Sequence, residues 1–344
     1  MIAVRGGPPR RARLAALGAY VPERIVTNDE IAGRVDTSDE WITSRTGIRE
    51  RRFAAPDETA ADMATAAALR VLEDAGIEAA GLDMVIVPTA TPDHMFPSTA
   101  ALVAGRIGAR GAAAFDMSVA CSGFVYGLAQ AAALVDGGVA RTVLVVGSEV
   151  LSRVTDQDDR ATCILFADGA GGALVAGGDP GSTTGFLGFD LGADADGADD
   201  LRLAVDGPRA SGPGEGVPAA GCIQMDGPAV FRFATRVMVE SCERLLGALG
   251  IGIDAIDLVV AHQANSRILA LAAERLGIPE ERMFNTLDRY GNTSSASIPI
   301  ALAEARDAGR LQPGDMVLLV GFGGGLTWGS TVVRYEPLGA EVPA

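Results

Sequence analysis

Residues 70–85 read RVLEDAGIEAAGLDMV, and residues 244–259 read RLLGALGIGIDAIDLV, a similar pattern 174 positions later. The same shift places VLVVG at 143–147 over VLLVG at 317–321. Chance matches are common in a chain this rich in glycine and alanine, but two separate matches at one unchanged offset are not expected from chance. Self-similarity at a fixed spacing indicates repeated units, and a shift near half the chain length predicts two related halves.

Each half alternates short apolar strands with helical stretches. The expected strands lie near residues 83–88, 112–118 and 142–148 in the first half, and near 257–261, 282–286 and 315–321 in the second. This alternation favours mostly parallel sheets that are covered by helices. A helix is also expected at 122–135, where SGFVYGLAQAAALV has few polar residues. A helix that is apolar on all sides is buried on all sides, so we expect a layered α/β protein with this helix between two sheets.

The duplication divides the chain into four segments. The first residues contain several arginines but no apolar segment behind them, which is typical of a frayed extension and not of a secretion signal. The stretch 192–221 is rich in glycine and aspartate and interrupts the periodicity, so we interpret it as a surface excursion between the halves. The expected organisation is a flexible basic extension at 1–13, an N-terminal half at 14–185, the excursion at 186–221 and a C-terminal half at 222–338.

Composition excludes several classes of function. The net charge of −16 argues against a general nucleic-acid-binding protein, and no apolar run approaches the roughly 20 residues that span a membrane. Every basic side chain is arginine, which excludes a lysine Schiff base, a pyridoxal-phosphate enzyme and a P-loop lysine. Four widely spaced cysteines and two histidines argue against a metal site. Without a secretion signal, we expect reduced thiols and a cytoplasmic protein.

Three reactive side chains lie at the ends of predicted strands or the starts of predicted helices. Cys121 follows AAFDMSV and begins the apolar helix, His262 follows DLVVA, and Asn292 lies in YGNTS before SASIPIALAEA. Because the duplication brings the carboxyl ends of equivalent strands together, we expect these loops to converge on one pocket. A thiol at a helix N-terminus faces unpaired N–H groups and the positive end of the helix dipole, so Cys121 is the expected thiolate nucleophile.

Each of these residues also has a structural interpretation. A free cysteine is commonly a small buried hydrophobic residue, as we expect for Cys163 and Cys242. A histidine at a strand end is often structural, and a Gly-Asn pair often forms a turn. The glycine run GFGGG at 321–325 lacks both the GxGxxG spacing and an acidic ribose ligand of dinucleotide sites. Its expected use is an oxyanion hole, where a backbone N–H points at the substrate.

Eight short runs, in order along the chain, match one known family. They are DTSDEW (36–41), RTGIR (45–49), ACSGF (120–124), DRAT (159–162), FADGAG (166–171), HQAN (262–265), GNTS (291–294) and GFGGG (321–325). From about Leu14 to Tyr335 the chain resembles β-ketoacyl-acyl-carrier-protein synthase III, the thiolase-fold enzyme that initiates type II fatty-acid synthesis. The resemblance implies a homodimer with a five-layered αβαβα core made of two duplicated halves.

The resemblance also assigns site residues. It implies a catalytic triad of Cys121, His262 and Asn292, and an oxyanion hole formed by the backbone N–H groups of Cys121 and Gly324. Contacts with coenzyme A carry over to Trp41, Thr37, Arg45, Arg160, Met225, Phe231 and Asn265. Among these, Trp41 and Arg160 are expected on either side of the adenine, where stacking and cation–π attraction act.

Partner contacts follow from the same resemblance. The acidic acyl carrier protein is expected to dock on Arg267, Arg232 and Arg275, although Glu274 stands where the family usually has a basic residue. Phe96 is expected to reach into the acyl pocket of the partner subunit.

The implied reaction joins an acyl-CoA primer to malonyl-acyl carrier protein with loss of CO₂, through an acyl group on Cys121. No cofactor or metal is expected, and the primer is expected to be acetyl-CoA or a short or branched acyl-CoA. Two alternatives stay open: a specialised-metabolism condensing enzyme or acyltransferase of the same fold, and a non-catalytic scaffold. Primer choice depends on pocket volume, which a sequence does not contain.

Overall fold

The computed structural model describes residues 11–178, 184–203 and 221–339. Its strands are β1 (Ala12–Tyr20), β2 (Arg24–Thr27), β3 (Glu50–Phe53), β4 (Met84–Pro88), β5 (Ala113–Met117), β6 (Thr142–Val150), β7 (Asp168–Gly177), β8 (Gly185–Ala193), β9 (Leu201–Leu203), β10 (Ile223–Met225), β11 (Leu258–Ala261), β12 (Met316–Gly323) and β13 (Thr327–Arg334). Its helices are α1 (Asn28–Ala32), α2 (Asp39–Thr46), α3 (Ala60–Ala75), α4 (Thr99–Ile107), α5 (Gly123–Asp136), α6 (Arg160–Cys163), α7 (Gly227–Leu249), α8 (Ser266–Leu276), α9 (Leu287–Tyr290) and α10 (Ser297–Asp307). No helix in these ranges is long and apolar enough to cross a membrane.

The two large sheets share one strand order. The first is ordered β1-β7-β6-β4-β5, and the second is ordered β8-β13-β12-β11. The starts of β4 and β11, and of β6 and β12, are 174 positions apart, and α3 and α7 end at left-handed Gly76 and Gly250 with the same offset. The predicted duplication is therefore confirmed. The prediction of a strand at 282–286 is wrong. The counterpart of β5 in the second half is reduced to a single bridge between Val259 and Met283.

The expectation of mostly parallel sheets is wrong. Parallel pairing is limited to β4–β5 and β4–β6 in the first sheet and to β11–β12 in the second. The antiparallel strands β1, β7, β8 and β13 were not predicted from the sequence. One of them, β7 (DGAGGALVAG), has the composition of a glycine-rich loop. The glycines of β7 allow α10 to pack closely against the strand, because a Cβ on Gly171 would lie 2.7 Å from the backbone nitrogen of Ile300 in α10.

Helices α5 and α10 form the central layer between the two sheets. Helices α3 and α4 cover the outer face of the first sheet, and α7 and α8 cover the second, which completes five αβαβα layers. In α5, Phe124 and Leu128 are fully buried, and the exposed positions are Gln130, Ala133 and Asp136. Burying each such large apolar side chain contributes about 1.5–3 kcal/mol to stability. The predicted fold class is confirmed, with the apolar helix at its centre.

The segment 186–221 is not a surface excursion throughout. Residues 185–193 form β8, an integral strand of the second sheet, and the Tyr126 hydroxyl of α5 donates a hydrogen bond to the Gly192 carbonyl at 2.9 Å. Strand β9 then pairs with β10. Residues 204–220 of the predicted excursion and 1–10 of the predicted extension lie outside the described residues. The extension also ends earlier than predicted, because Ala12 and Arg13 already belong to β1.

Candidate active site

The three predicted reactive residues line one cavity of about 240 Å³. Cys121 lies in a 3₁₀ turn between β5 and α5, His262 directly follows β11, and Asn292 lies between α9 and α10. Their elements belong to both halves of the chain. The duplicated fold thus brings Cys121 to the same point as His262 and Asn292, as the sequence predicts.

Glycines hold the backbone of the nucleophile turn against strand β12. A Cβ on Gly323 would lie 2.6 Å from the backbone nitrogen of Cys121, and one on Gly321 would lie 3.3 Å from its carbonyl oxygen. Ala120 takes the left-handed conformation with φ 45°, which is strained for a residue with a side chain. The glycine run is therefore a packing surface for the catalytic turn, and Gly324 lies beside Cys121 at a second cavity.

The Cys121 thiol is buried, with 7% of its surface exposed. Desolvation by burial raises its pKa to about 12, which hydrogen bonding to the Ser294 side chain only partly opposes. A helix N-terminus contributes on the order of 1 kcal/mol, which is less than one pKa unit. Burial, which is not visible in a sequence, therefore opposes the thiolate that the helix N-terminus favours. A neutral thiol requires a base when it attacks.

Alkylation of Cys121 by iodoacetamide is expected to accelerate about tenfold per pH unit between about pH 6 and 9, because the thiolate fraction grows in that proportion below the pKa. Peptide mass spectrometry measures the rate, with the partly exposed Cys222 as an internal reference. A rate that levels off below about pH 8 would show a preformed thiolate and contradict the buried-thiol description.

His262 is a buried, neutral imidazole. Its Nδ1 lies 2.7 Å from the Ser297 hydroxyl of α10, and Phe322 packs edge-on against the ring at 5.2 Å between centroids. Desolvation by burial lowers its pKa to about 3. In the unfolded chain the imidazole protonates near pH 6.5, so the stability tied to its neutral form is lost as the pH falls from there towards 3.

Asn292 is oriented so that its amide NH₂ group can donate a hydrogen bond into the cavity. Its side-chain oxygen accepts a hydrogen bond from the Ser294 backbone N–H at 2.9 Å, which identifies the other amide atom as the NH₂ donor. Its backbone is fixed by bonds to Leu165 and Ala167, each of 2.9 Å, and Gly291 before it takes φ 59°. The turn-forming and catalytic interpretations of Asn292 are therefore compatible, because one amide serves both.

The cavity leads from Cys121 between α2, α7 and α8. Of the residues assigned to coenzyme A, five line it: Trp41, Arg45, Met225, Phe231 and Asn265. Asn265 also caps α8, by accepting the Arg267 backbone N–H at 2.9 Å. The Thr37 hydroxyl is buried and has no hydrogen-bond partner among the residues that the structure describes.

The adenine assignment requires a movement. The Arg160 guanidinium lies 5.0 Å from the centre of the Trp41 ring, and Arg45 lies 5.9 Å from it. A flat ring stacked between Trp41 and Arg160 needs more separation than this, so Arg160 has to move outward. Its hydrogen bond of 3.0 Å to the Asp36 carbonyl has to break or shift in that movement.

A smaller cavity of about 70 Å³ also opens at Cys121. Its lining is mostly apolar and includes Ala90, Leu151, Phe166, Leu201, Leu203 and Ile223. Leu201 lines both cavities and was missed, because it lies in the segment interpreted as an excursion. Only the short alternating run Leu201-Arg202-Leu203, which forms β9, marks it in the sequence.

Arg45 lines the cavity, and further exposed arginines lie on two helices that border its mouth. Arg232 is exposed on α7, Arg267 and Arg275 are exposed on α8, and the Arg267 guanidinium lies 5.8 Å from the centre of the Phe231 ring. Within the described ranges, these three arginines form no ion pair, and neither do Arg45 and Arg160. Phe96 lies away from this mouth, on a loop where its side chain is 87% exposed.

Comparisons with known proteins agree with this geometry. Residues 115–195 match the family described as 3-oxoacyl-[acyl-carrier-protein (ACP)] synthase III, and residues 246–335 match its C-terminal family. The chain is 47% identical to β-ketoacyl-[acyl-carrier-protein] synthase III of Desulfitobacterium hafniense, over 95% of this chain and 98% of that protein. It is 48% identical to synthase III 2 of Deinococcus radiodurans, over 94% of each chain.

Solved structures give the same result. The crystal structure of β-ketoacyl-[acyl carrier protein] synthase III from Thermus thermophilus superposes with a TM-score of 0.88 at 50% identity, over 94% of this chain and 99% of that one. The priming β-ketosynthase of the R1128 polyketide pathway superposes with a TM-score of 0.89 at 35% identity, over 97% and 99%. Full-length similarity at this level, together with the Cys–His–Asn cavity, shows that the chain belongs to the β-ketoacyl-acyl-carrier-protein synthase III family.

Proposed function

We propose that this protein condenses an acyl-CoA primer with malonyl-acyl carrier protein and so initiates fatty-acid synthesis. The observation that carries the proposal is the convergence of Cys121, His262 and Asn292 on a cavity that Trp41 and Arg45 also line and that reaches a buried thiol. A second apolar cavity at the same thiol has room for the primer chain. A non-catalytic scaffold would not need this arrangement.

The first step transfers the acyl group to Cys121. The sulfur attacks the thioester carbonyl of the acyl-CoA while the thiol proton passes to Nε2 of His262, whose Nδ1–H then donates to Ser297. The backbone N–H groups of Cys121 and Gly324 hold the tetrahedral oxyanion. The carbon–sulfur bond to coenzyme A breaks, and the imidazolium returns its proton to the departing thiolate. The histidine is neutral again at the end.

The second step uses the other tautomer of His262, which forms when Nδ1 loses its proton to water and Nε2 takes one up from water. The Ser297 hydroxyl can donate to Nδ1, which leaves the imidazole proton on Nε2. That N–H and the Asn292 amide then donate to the thioester oxygen of malonyl-acyl carrier protein as CO₂ leaves and an enolate forms. The enolate carbon attacks the acyl-Cys121 carbonyl, and the Cys121 sulfur departs as a thiolate that takes up one proton from water. No metal or cofactor enters these steps.

The primer is proposed to be acetyl-CoA or a short or branched acyl-CoA. The cavity of about 70 Å³ has little volume for a long chain, and its lining is mostly apolar. The similarity to a priming β-ketosynthase of a polyketide pathway favours a specialised-metabolism enzyme as the second candidate. Condensation assays with acetyl-, isobutyryl- and hexanoyl-CoA separate these, and a clear preference for hexanoyl-CoA would contradict the short-primer proposal.

The acyl carrier protein is proposed to dock on the arginines at the mouth. Arg267→Glu is expected to raise KM for malonyl-acyl carrier protein about tenfold and to leave acylation by acetyl-CoA nearly unchanged, because it reverses one charge in an acidic partner's path. Arg110→Glu changes an exposed arginine away from the cavity and serves as the matched control. Equal KM values for the two variants, measured at low salt, would contradict this docking surface.

The active form is proposed to be a cytoplasmic homodimer. Strand β5 is an edge of the first sheet, and it exposes Phe115, which is 37% exposed. Nearby in sequence, Met95 and Phe96 are 82% and 87% exposed, which is unusual for large apolar side chains. Pairing through this edge would cover them and bring Phe96 to the partner's acyl pocket. Sedimentation of the protein as a monomer at assay concentration would contradict the proposal.

A further inference from the structure

Glu149 is a fully buried carboxyl group next to the active site. It lies near the end of β6, has no exposed surface, and forms no ion pair among the described residues. A buried carboxylate without a positive partner is costly, so such groups are either ion-paired or protonated. The condensation steps described above do not use it.

The hydrogen bonds around Glu149 distinguish its two oxygens. Oε2 accepts from the Ala90 backbone N–H and from the Thr91 hydroxyl, both at 3.0 Å, and therefore behaves as a carbonyl oxygen. The Thr91 hydroxyl is available as that donor because it accepts from the Val150 backbone N–H at 2.8 Å. Oε1 instead lies 2.7 Å from the Ser295 hydroxyl.

The Ser295 hydroxyl has two acceptors and one proton. Besides Oε1 of Glu149, it lies 3.0 Å from the Pro88 carbonyl oxygen. An ionised Glu149 would leave one of these oxygens without a hydrogen. A protonated Glu149 satisfies both, because its O–H donates to Ser295 and the Ser295 O–H donates to Pro88.

This network reaches the catalytic residues through the turn 294–296. Strand β6 lies directly against the turn, since a Cβ on Gly147 would be 2.3 Å from the Ser295 carbonyl oxygen. Ser294 is held at φ 50°, and its backbone N–H is the group that orients the Asn292 amide. Its side-chain hydroxyl is near enough to the Cys121 thiol and to the Glu149 carboxyl to lower the pKa of each.

We propose that Glu149 is a neutral carboxylic acid that positions the strained 294–296 turn, and through it Asn292 and the Cys121 thiol. It is a positioning residue, since it touches none of the reacting atoms. The inference rests on the proposed condensation and adds to it a group outside the Cys–His–Asn triad.

A neutral Glu149 also leaves the pKa of the nearby Cys121 thiol lower than a charged one would. Burial raises the pKa of Glu149, and no positive group opposes this among its hydrogen-bond partners, which are hydroxyl and amide groups. The titratable group that faces it is the Cys121 thiol, whose pKa a negative charge on Glu149 raises further. A neutral acid holds the turn without this repulsion.

Replacement by an isosteric amide tests the proposal. Glu149→Gln keeps one carbonyl oxygen and one donor, and kcat for condensation is expected to stay within about threefold of wild type. Glu149→Ala is expected to lower kcat by about 10- to 100-fold with little change in KM, because small displacements of catalytic groups cost that much. Ser295→Ala is expected to match Glu149→Ala, and the double variant is expected to lose no more than either single one.

Infrared difference spectra test protonation without reference to activity. Wild type minus Glu149→Gln at neutral pH is expected to show the carbonyl stretch of a protonated carboxylic acid. The unfolded chain ionises this group above about pH 4.3 while the folded protein keeps the proton, so the wild type loses stability as pH rises. The melting temperature of Glu149→Gln relative to wild type is therefore expected to increase with pH.

Failure of the Glu149 proposal can be distinguished from failure of the proposed condensation reaction. If wild type forms no β-ketoacyl product, the proposed function fails, and the infrared result still decides the state of Glu149. If the wild-type protein forms the β-ketoacyl product, the inference is overturned when Glu149→Gln lowers kcat as much as Glu149→Ala does. Carboxylate bands in the difference spectrum, or wild-type kcat in a folded Glu149→Ala or Ser295→Ala variant, would equally overturn it.

Discussion

Cys121→Ala is expected to abolish acyl transfer, with no adduct detected by intact mass spectrometry after incubation with acetyl-CoA. The thiol is the proposed nucleophile and lines both cavities, and an alanine at this position offers no atom that can carry the acyl group. The small change in volume leaves the 3₁₀ turn intact, so the variant is expected to fold and to bind coenzyme A.

The matched control for that variant is Cys242→Ala. Cys242 is a free, fully buried cysteine of α7 that lies in the core and lines neither cavity. Its removal is expected to lower stability by about 1 kcal/mol and to leave acylation unchanged. An acyl adduct on Cys121→Ala, or its loss in Cys242→Ala, would place the nucleophile elsewhere.

His262→Ala and Asn292→Ala are expected to separate the two chemical steps. His262→Ala is expected to slow both acylation and condensation, by about 10²–10⁴-fold, because the buried neutral thiol needs a base and the enolate needs a donor. Asn292→Ala is expected to slow condensation by about 10²–10³-fold, because its NH₂ group is proposed to donate to the enolate oxygen. Acylation is expected to change less, since it depends on Asn292 only through the hydrogen bond to the Ser294 backbone.

Single-turnover assays measure each step separately in the two variants. Acylation is followed by mass spectrometry and condensation by release of CO₂ from malonyl-acyl carrier protein. Normal acylation in His262→Ala would show that the Cys121 proton leaves by another route. Equal losses in both steps for Asn292→Ala would mean that it mainly supports the turn at 292–294.

Much of the fold follows from two features of the sequence. The repeat at 70–85 and 244–259 predicts the duplicated sheets, and the apolar stretch at 122–135 predicts the central helix α5. The antiparallel strands were missed because β7 and β8 are glycine-rich, and the close approach of α10 that requires glycine in β7 is a tertiary contact. Local strand propensity does not contain that information.

The sequence predicted which residues meet at the cavity better than it predicted their burial and electrostatics. Strand ends and the family runs identify Cys121, His262 and Asn292, whose convergence the structure shows. The burial that opposes a thiolate on Cys121 was not visible in the sequence, because both halves of the fold produce it. Glu149 was missed, although a single acidic residue in the apolar strand TVLVVGSEV is a signal of a buried polar contact.

The most direct test is a two-stage reaction of the wild-type protein. Incubation with acetyl-CoA is expected to add one acetyl group, located on the Cys121 peptide by mass spectrometry, and addition of malonyl-acyl carrier protein is then expected to release CO₂ and yield acetoacetyl-acyl carrier protein. An acetyl group on Cys121 without a condensed product would favour an acyltransferase. The absence of any acyl group on Cys121 with acetyl-, isobutyryl- and hexanoyl-CoA would contradict the proposed function.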